Sequence, residues 1–246
     1  MSAWRGWAAL VTLGLVGCSG ALDTDDPPAA PAKGDVVEKI VGGQAEPGFP
    51  AVGALLTPGG SVCTATVIAP RWILSAAHCF EDGDFGYTFS IGPDMDRPQR
   101  RVSLSAVWRN PQWNSRALVN DIALGQLAGD PGVAPMALAD DVRVGDTLLF
   151  VGYGLTDGRG WELGQKRSVE MPVTRLDGTT FTYAVRGRNT CGGDSGGPAL
   201  RSAGGQMQVA GVTSYGDQNC EQYGVDTRVD AYLGWIGQVV GDLQPP

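Results

Sequence analysis

Turn-forming residues recur along this chain at short intervals and leave room only for short regular segments. The 246 residues include 37 glycines and 16 prolines, which interrupt both helices and strands. Between them, residues 102–106 and 206–209 alternate apolar and polar side chains, as a half-buried strand does. Many short strands separated by turns predict an all-β chain with an antiparallel sandwich or barrel.

Further candidate strands share a strand-sized, mostly apolar composition; they are 51–56, 62–68, 72–76, 121–127, 147–152, 168–173, 180–185 and 208–215. Close to the end, Leu233, Ile236 and Val240 fall on one face of a helix, and Asp230 is a candidate N-cap. We therefore expect one C-terminal helix, over about 231–241.

Charge and composition exclude some classes of function. The formal net charge is −8 and the sequence pI is about 4.6, whereas binding to nucleic acid needs a basic face. No nucleic-acid partner is expected. Hydrophobic residues make up 43% of the chain, enough to bury a substantial core.

The first residues predict export. Arg5 precedes an apolar stretch, 6–17, which is too short to span a bilayer and fits the core of a signal peptide. It ends in Leu15-Val16-Gly17-Cys18, which resembles the lipobox of bacterial lipoproteins. That resemblance implies cleavage before Cys18, a lipid on Cys18, and a membrane anchor, with Ser19 favouring the outer membrane or the cell surface. The alternative is an ordinary signal peptide with a chance cysteine.

The cysteine count agrees with lipidation. An odd number, five, leaves one unpaired thiol in an exported chain, and a lipid on Cys18 would account for it. The other four can form two disulfides, with three possible pairings. Residues 18–39 are rich in proline, alanine and aspartate and predict a linker. The expected organisation is a signal peptide at 1–17, a linker at 18–39 and a folded domain at 40–246.

Three residues suggest nucleophilic catalysis. His78 is the only histidine, Asp121 precedes an apolar run, and Ser195 stands among Gly193, Gly196 and Gly197. A serine hydroxyl needs a nearby base, and the base needs a third group to orient it. A packed core histidine and an aspartate at the start of a strand are the alternatives for the first two residues. Together the three predict a hydrolase with an activated serine.

These residues lie in motifs that resemble those of the chymotrypsin-family serine proteases. The resembling segments, in chain order, are 39–43, 72–79, 120–124, 193–198, 214–216 and 224–229. The resemblance covers essentially all of 40–246. It implies two six-stranded antiparallel barrels, about 40–130 and 131–230, with the active site between them.

The resemblance also implies roles for single residues. Ser195 would attack the scissile carbonyl, His78 would act as base and acid, and Asp121 would orient His78. Gly193 and Ser195 would supply the oxyanion-hole amides. Ser214 would support Asp121, and residues 214–216 would pair with the substrate.

Pairing of cysteines and cofactor needs follow from the same resemblance. Cys63 would pair with Cys79, and Cys191 with Cys220. No cofactor or metal is required; the acidic stretch 81–84 could be imagined as a calcium loop, but we interpret it as a solvated turn.

Lys39-Ile40 resembles the family's activation junction, which implies a zymogen. Cleavage there would free the α-amino group of Ile40, and this group would form an ion pair with Asp194. A buried carboxylate at that position would otherwise be unpaired and costly.

The specificity pocket departs from the family pattern. Position 189, where a trypsin-like enzyme would have Asp, is Asn189, and Thr190 follows it. Gly216 and Gly224 leave the pocket open. We favour a neutral pocket for aromatic, Leu or amide side chains. The alternative is that Asp226, in a position where the family usually has Tyr, faces inward and selects Lys or Arg; it could also point to solvent.

Smaller departures complete the pattern. Tyr215 and Tyr153 replace tryptophans, and Thr64 and Ala65 replace two glycines.

The expected function is a secreted or lipid-anchored, monomeric serine endopeptidase acting on peptides or proteins. The alternatives are a catalytically silent homologue that serves as a surface binding module, and an esterase with the same triad.

Overall fold

The computed structural model describes residue 1, residues 40–156 and residues 162–241. The expected signal peptide, Cys18, the linker and Lys39 lie outside the described residues. Those described form fourteen strands and one α-helix. The strands of the first half are β1 (Gln44–Ala45), β2 (Val52–Leu56), β3 (Val62–Ala69), β4 (Trp72–Ser75), β5 (Thr88–Ile91), β6 (Arg100–Arg109) and β7 (Ala123–Leu127). Those of the second half are β8 (Ala137–Leu138), β9 (Thr147–Gly152), β10 (Arg167–Asp177), β11 (Thr180–Tyr183), β12 (Pro198–Ala203), β13 (Gln206–Gly216) and β14 (Gly224–Arg228).

Six strands of the first half close into an antiparallel barrel in the order β2-β3-β4-β7-β6-β5. Inward-facing side chains such as Leu55, Val67, Ile73 and Leu124 are fully buried. Burial of this apolar surface is the main stabilising contribution to such a barrel. Because β4 pairs with β7, with Ser75 opposite Ala123, the segments that flank these two strands meet at one end of the barrel.

The second half closes in the same way, in the order β9-β10-β11-β14-β13-β12, with β12 also paired to β9. Strand β8 adds to β13 in parallel, and β1 adds to β10. The short strand β1 follows Ile40 in the chain but joins the second sheet. The segment that begins at Ile40 is therefore part of the second half's structure.

The predicted fold class, two six-stranded antiparallel barrels with a C-terminal helix, is confirmed. The helix, α1, spans Leu233–Val240 and buries Ile236. The predicted N-cap is wrong: Asp230 lies in a preceding 3₁₀ turn, Asp230–Tyr232. Its Oδ2 forms an ion pair with Nη2 of Arg228 at 2.6 Å instead. Within the described part of the chain, no helix is long and apolar enough to cross a membrane.

Candidate active site

His78 and Asp121 meet at the end of the first barrel where β4 and β7 lie side by side. The chain leaves β4 into a single 3₁₀ turn, Ala77–Phe80, which carries His78, and Asp121 lies just before β7. Nδ1 of His78 lies 2.7 Å from Oδ2 of Asp121, and the backbone N–H of His78 donates to Oδ1 at 2.9 Å. The carboxylate thus fixes both the ring and the backbone of the histidine.

The Asp121 carboxylate is buried but well supplied with donors. Its side chain is 1% exposed, whereas that of His78 is 28% exposed. Ser214 Oγ donates to Oδ2 of Asp121 at 2.5 Å, and Thr227 Oγ1 donates to its backbone carbonyl at 2.9 Å. A buried charge is tolerated when it is paired and hydrogen-bonded. Asp121 therefore joins the two barrels, because Ser214 and Thr227 belong to the second.

Ser195 lies in a turn that packs against the same end of the first barrel. Its carbonyl accepts the N–H of Thr64 at 2.8 Å. Sγ of Cys79 lies 3.6 Å from that carbonyl oxygen and 3.7 Å from Nε2 of His78. The imidazole Nε2 and the backbone carbonyl of the half-buried Ser195 therefore both approach one sulfur atom, which brings the two residues to the same part of the site.

The turn that carries the serine depends on Gly196. This residue has φ +80°, and a Cβ there would lie 1.9 Å from Oγ of Ser75. Its N–H donates to the carbonyl of Thr213 at 2.7 Å. Any side chain would therefore collide with β4, so a glycine lets the turn sit directly on the first barrel.

The backbone around Gly193 leaves two amides without a backbone acceptor among the described residues. Gly193 is buried with φ +100°, and its carbonyl accepts the hydroxyl of Thr64 at 2.9 Å. That hydroxyl in turn accepts the N–H of Tyr153 at 3.1 Å. Among the described residues, the N–H groups of Gly193 and Ser195 donate to no backbone carbonyl. Two such donors, when they point to one position, can stabilise a developing negative charge.

Two disulfides brace the site. Cys63 bonds to Cys79 beside the imidazole, and Cys191 bonds to Cys220 beside the serine turn. Ligand atoms of Cys63, His78 and Cys79 lie within 4.8 Å of one another, but the two bonded sulfurs offer no thiolate for a metal.

The acidic stretch 81–84 is engaged in protein contacts. Asp84 pairs with Arg109 at 2.9 Å, and Asp82 accepts the N–H of Gly59 at 3.3 Å. Glu81 accepts the indole N–H of Trp113 at 3.2 Å. These contacts agree with its interpretation as a surface turn.

Ile40 and Asp194 are both buried in the second half. Ile40 is completely inaccessible, and the carbonyl of the following Val41 accepts the N–H of Asn189 at 3.1 Å. The Asp194 carboxylate accepts the N–H of Gly154 at 2.7 Å and that of Cys191 at 2.8 Å. Burial raises the pKa of Asp194 to about 7, although the two amides and Arg167 lower it.

Asn189 is not available to a ligand. Its Nδ2 donates to the carbonyl of Tyr223 at 3.0 Å and to Asp217 at 3.3 Å, and its Oδ1 accepts the N–H of Thr190 at 2.9 Å. The side chain is 1% exposed. It holds the loop before Gly224 and presents no unpaired polar atom.

Asp226 faces inward, which excludes the alternative that it points to solvent. It is fully buried, and neither carboxylate oxygen has a hydrogen-bond partner among the described residues. Tyr183 and Thr213 turn their hydroxyls towards it. The Tyr183 hydroxyl also lies 2.6 Å from Oγ1 of Thr190. Burial raises the pKa of Asp226 well above its ordinary value, although the facing hydroxyls lower it.

The remaining residues predicted for the pocket lie around this cluster. Ser214, Tyr215 and Gly216 end β13, with Gly216 exposed, and Gly224 begins β14 opposite Tyr183. A Cβ on Gly224 would lie 2.3 Å from the Tyr183 ring. Sequence reasoning assigned no role to Tyr183, and treated Thr64 only as a departure from the family pattern. A threonine in place of glycine next to Cys63 was the signal for Thr64; nothing in the local pattern marks Tyr183.

Two closed six-stranded antiparallel barrels followed by a single short helix define the trypsin fold. The family model described as Trypsin matches residues 40–236. The chain therefore belongs to the trypsin family of serine proteases.

Similar curated proteins come from animals. Transmembrane protease serine 9 of Rattus norvegicus is 32% identical over 203 residues, covering 72% of this chain and 19% of that protein. Phenoloxidase-activating factor 3 of Holotrichia diomphalia is 28% identical over 225 residues, covering 72% and 64%. Vitamin K-dependent protein C of Oryctolagus cuniculus is 27% identical over 208 residues, covering 71% and 45%. The chain spans less than two thirds of the length of each.

Proposed function

We propose that this chain is a serine endopeptidase that cleaves peptide bonds through Ser195, His78 and Asp121. One observation carries the proposal: a buried carboxylate holds His78 through Nδ1 and through the backbone, and leaves Nε2 beside the Ser195 turn. An imidazole whose Nδ1–H is held in this way has its Nε2 lone pair free to accept a proton.

The reaction follows from this arrangement. Oγ of Ser195 bonds to the scissile carbonyl carbon while its proton moves to Nε2 of His78, and Asp121 stabilises the imidazolium. The carbonyl oxygen becomes an anion that accepts hydrogen bonds from the N–H groups of Gly193 and Ser195. Collapse breaks the C–N bond, the amine takes the proton from His78, and an acyl-enzyme remains. Water activated by His78 then releases the acid and restores the serine.

An open strand edge supports a peptide as the substrate. β12 pairs with β13 only as far as Val212, whereas β14 continues to pair with it as far as Gly216. The other edge of residues 214–216 therefore has no strand partner among the described elements. An extended peptide can add to such an edge through main-chain hydrogen bonds, an arrangement that has no purpose for a simple ester.

The pocket takes an uncharged side chain, since neither of its polar candidates is accessible. Asn189 uses its amide on the neighbouring loop, and Asp226 is fully buried, which raises the pKa of its carboxyl. A peptide library should show cleavage after aromatic, Leu or amide side chains. In Asp226→Asn, which keeps the shape but cannot ionise, the preference should change little. A wild-type preference for Lys or Arg that Asp226→Asn abolishes would contradict the neutral pocket.

Cleavage after Lys39 activates the protein. The new α-ammonium of Ile40 would supply a cation for the buried Asp194, next to the oxyanion-hole loop. The full burial of Ile40 and the isolated bridge between Val41 and Asn189 support this, because they bring the start of the segment to the residues that lead into that loop. A neutral pocket implies that a different protease performs the cleavage.

Labelling with a fluorophosphonate probe tests the proposal. The chain has three lysines; Lys33 and Lys39 precede Ile40, and Lys166 is buried. A lysine-specific endopeptidase should therefore yield a form that begins at Ile40 without cutting the domain. This form should be labelled, and Ser195→Ala should not. A folded, cleaved form that takes no label would instead indicate a silent homologue.

Anchoring and export complete the proposal and depend on the sequence of residues 1–39 alone. Expression in a bacterium with radiolabelled fatty acid should label the chain, and Cys18→Ala should abolish that label. A secreted, unlabelled chain of the same length would indicate an ordinary signal peptide.

A further inference from the structure

The Asp194 carboxylate fills the space in front of Gly152, where the sheet carries no side chain. A Cβ on Gly152 would lie 2.2 Å from Oδ1 of Asp194, so the carboxylate occupies the space in front of that position. Oδ1 and Oδ2 are each bound by one backbone amide, from Gly154 and from Cys191. Amides alone leave a buried negative charge without a counter-ion, which is costly.

Arg167 starts on the same face of the sheet as this carboxylate. In the pairing of β9 with β10, Arg167 is directly opposite Gly152, and directly opposite residues project from one face with Cβ atoms about 5 Å apart. On its other side Arg167 pairs with Ala45, five residues after Ile40. The residue therefore lies between the segment that begins at Ile40 and the Asp194 carboxylate.

The guanidinium of Arg167 is buried and incompletely paired. Arg167 is 2% exposed, its Nη1 donates to the carbonyl of Gln165 at 3.1 Å, and its Nη2 lies 3.6 Å from Glu162. Its Nε has no hydrogen-bond partner within the described residues. Arginine stays charged even when buried, so a permanent positive charge, paired first with Glu162, lies on the sheet face against which Asp194 packs and lowers the pKa of that carboxyl.

The other titratable groups described around Asp194 do not supply the positive charge that Arg167 supplies. Asp226 and Tyr183 approach from β14 and β11, and they interact unfavourably with a charged Asp194. The only histidine of the chain, His78, is bound to Asp121. Before cleavage, the described residues thus bring the charge of Arg167 to bear on Asp194.

We propose that Arg167 is a positioning residue that acts as a built-in counter-ion of Asp194 and holds the oxyanion-hole loop in place before the Ile40 ammonium exists. This inference rests on the proposed function of the site. It implies that the uncleaved chain retains part of the activity of the cleaved form. After cleavage the ammonium adds a second cation, so the dependence on Arg167 decreases.

A titration of Asp194 tests the proposal without any need for activity. The uncleaved chain is labelled with ¹³C-carboxyl aspartate, and Asp194→Asn identifies the resonance. In Arg167→Gln the pKa of Asp194 should rise by about one unit or more above that of wild type, because a nearby cation is lost. Arg167→Lys should stay near wild type. Arg201→Gln, which removes a guanidinium paired with Asp141, is the matched control.

A pKa of Asp194 in Arg167→Gln that stays within about 0.3 of wild type would overturn the proposal, as would an equal rise in Arg201→Gln. If Arg167→Gln does not fold, Arg167→Met keeps an unbranched apolar stem and is titrated instead. In the second readout, the Arg167→Gln substitution should slow fluorophosphonate labelling of the uncleaved chain. The slowing should be about tenfold greater than in the cleaved form, since one pKa unit corresponds to a tenfold change. If cleaved wild type takes no label, the proposed function fails, and the titration still decides the role of Arg167.

Discussion

Thr64 connects the first barrel to the proposed oxyanion-hole loop, and loss of its hydroxyl should lower kcat more than it weakens substrate binding. The fully buried hydroxyl donates to the carbonyl of Gly193 at 2.9 Å and accepts the N–H of Tyr153 at 3.1 Å. Thr64→Val keeps the shape and loses both bonds. An unsatisfied buried donor costs about 1–3 kcal/mol and a lost hydrogen bond about 1 kcal/mol, so unfolding should become easier by about 2–4 kcal/mol.

The catalytic effect follows from the freed Gly193 carbonyl. Once unrestrained, the backbone at Gly193 can rotate, and loss of one oxyanion donor reduces kcat by about 10²–10³. Since part of the population keeps the native arrangement, we expect a fall in kcat of about tenfold to a hundredfold with KM changed less than about twofold. The assay is steady-state peptide hydrolysis by the form cleaved after Lys39, together with urea unfolding.

The same strand offers a matched control. Thr66 lies two residues further along β3, is 1% exposed, and its hydroxyl has no partner among the described residues. Thr66→Val should therefore leave kcat unchanged and should not reduce stability, and Thr64→Ser should restore most of the rate. The reasoning is refuted if Thr64→Val keeps the wild-type kcat, or if Thr66→Val loses as much.

Two further changes have a defined direction. Ser214→Ala removes a hydrogen bond to the Asp121 carboxylate, a charged acceptor, which is worth about 1.5–3 kcal/mol; the label rate of Ser195 should fall about tenfold, and an unchanged rate would show that the bond is dispensable. Burial lowers the pKa of Lys166 from 10.5 to about 8, so between these values the unfolded state binds more protons and stability rises with pH. From pH 7 to pH 10 the unfolding free energy of wild type should rise by about 2.5 kcal/mol relative to Lys166→Met; urea unfolding curves that remain parallel would contradict this.

Strands with clear alternation were predictable from local sequence, and strands without it were not. β3 and β9 were predicted within one residue of their bounds, since each has a continuous apolar run. β5 and β12 were missed, as were the two-residue strands β1 and β8: β5 and β12 lie next to glycine or proline, and each is defined by its partners rather than by its own pattern. The closure of each barrel depends on pairings between distant strands, which periodicity does not contain.

The candidate site divides in the same way. His78, Asp121 and Ser195 lie in specific motifs, and the structure brings the first two into contact and the third beside them. The pocket was harder, because its chemistry depends on side chains from strands that are distant in sequence. Tyr183, which lies across from Gly224, brings its hydroxyl to Thr190 and towards Asp226. Such a contact between strands leaves no mark on either local sequence.

Lys166 and Arg167 show where charge itself misleads sequence reasoning. Two adjacent basic residues at the start of a strand suggest at least one solvent-facing side chain, since neighbours point to opposite faces, yet both are 2% exposed. Segment 48–49 covers Lys166, which directly precedes β10, and Asp194 packs on the face that carries Arg167. Lys166 donates to the carbonyls of Gly48 and Phe49 at 2.8 and 3.0 Å, in the segment that follows Ile40, while Arg167 lies opposite Gly152, in front of which Asp194 packs. Because each buried charge needs its partner, the two together would tie the segment that follows the proposed cleavage site to the proposed oxyanion-hole loop.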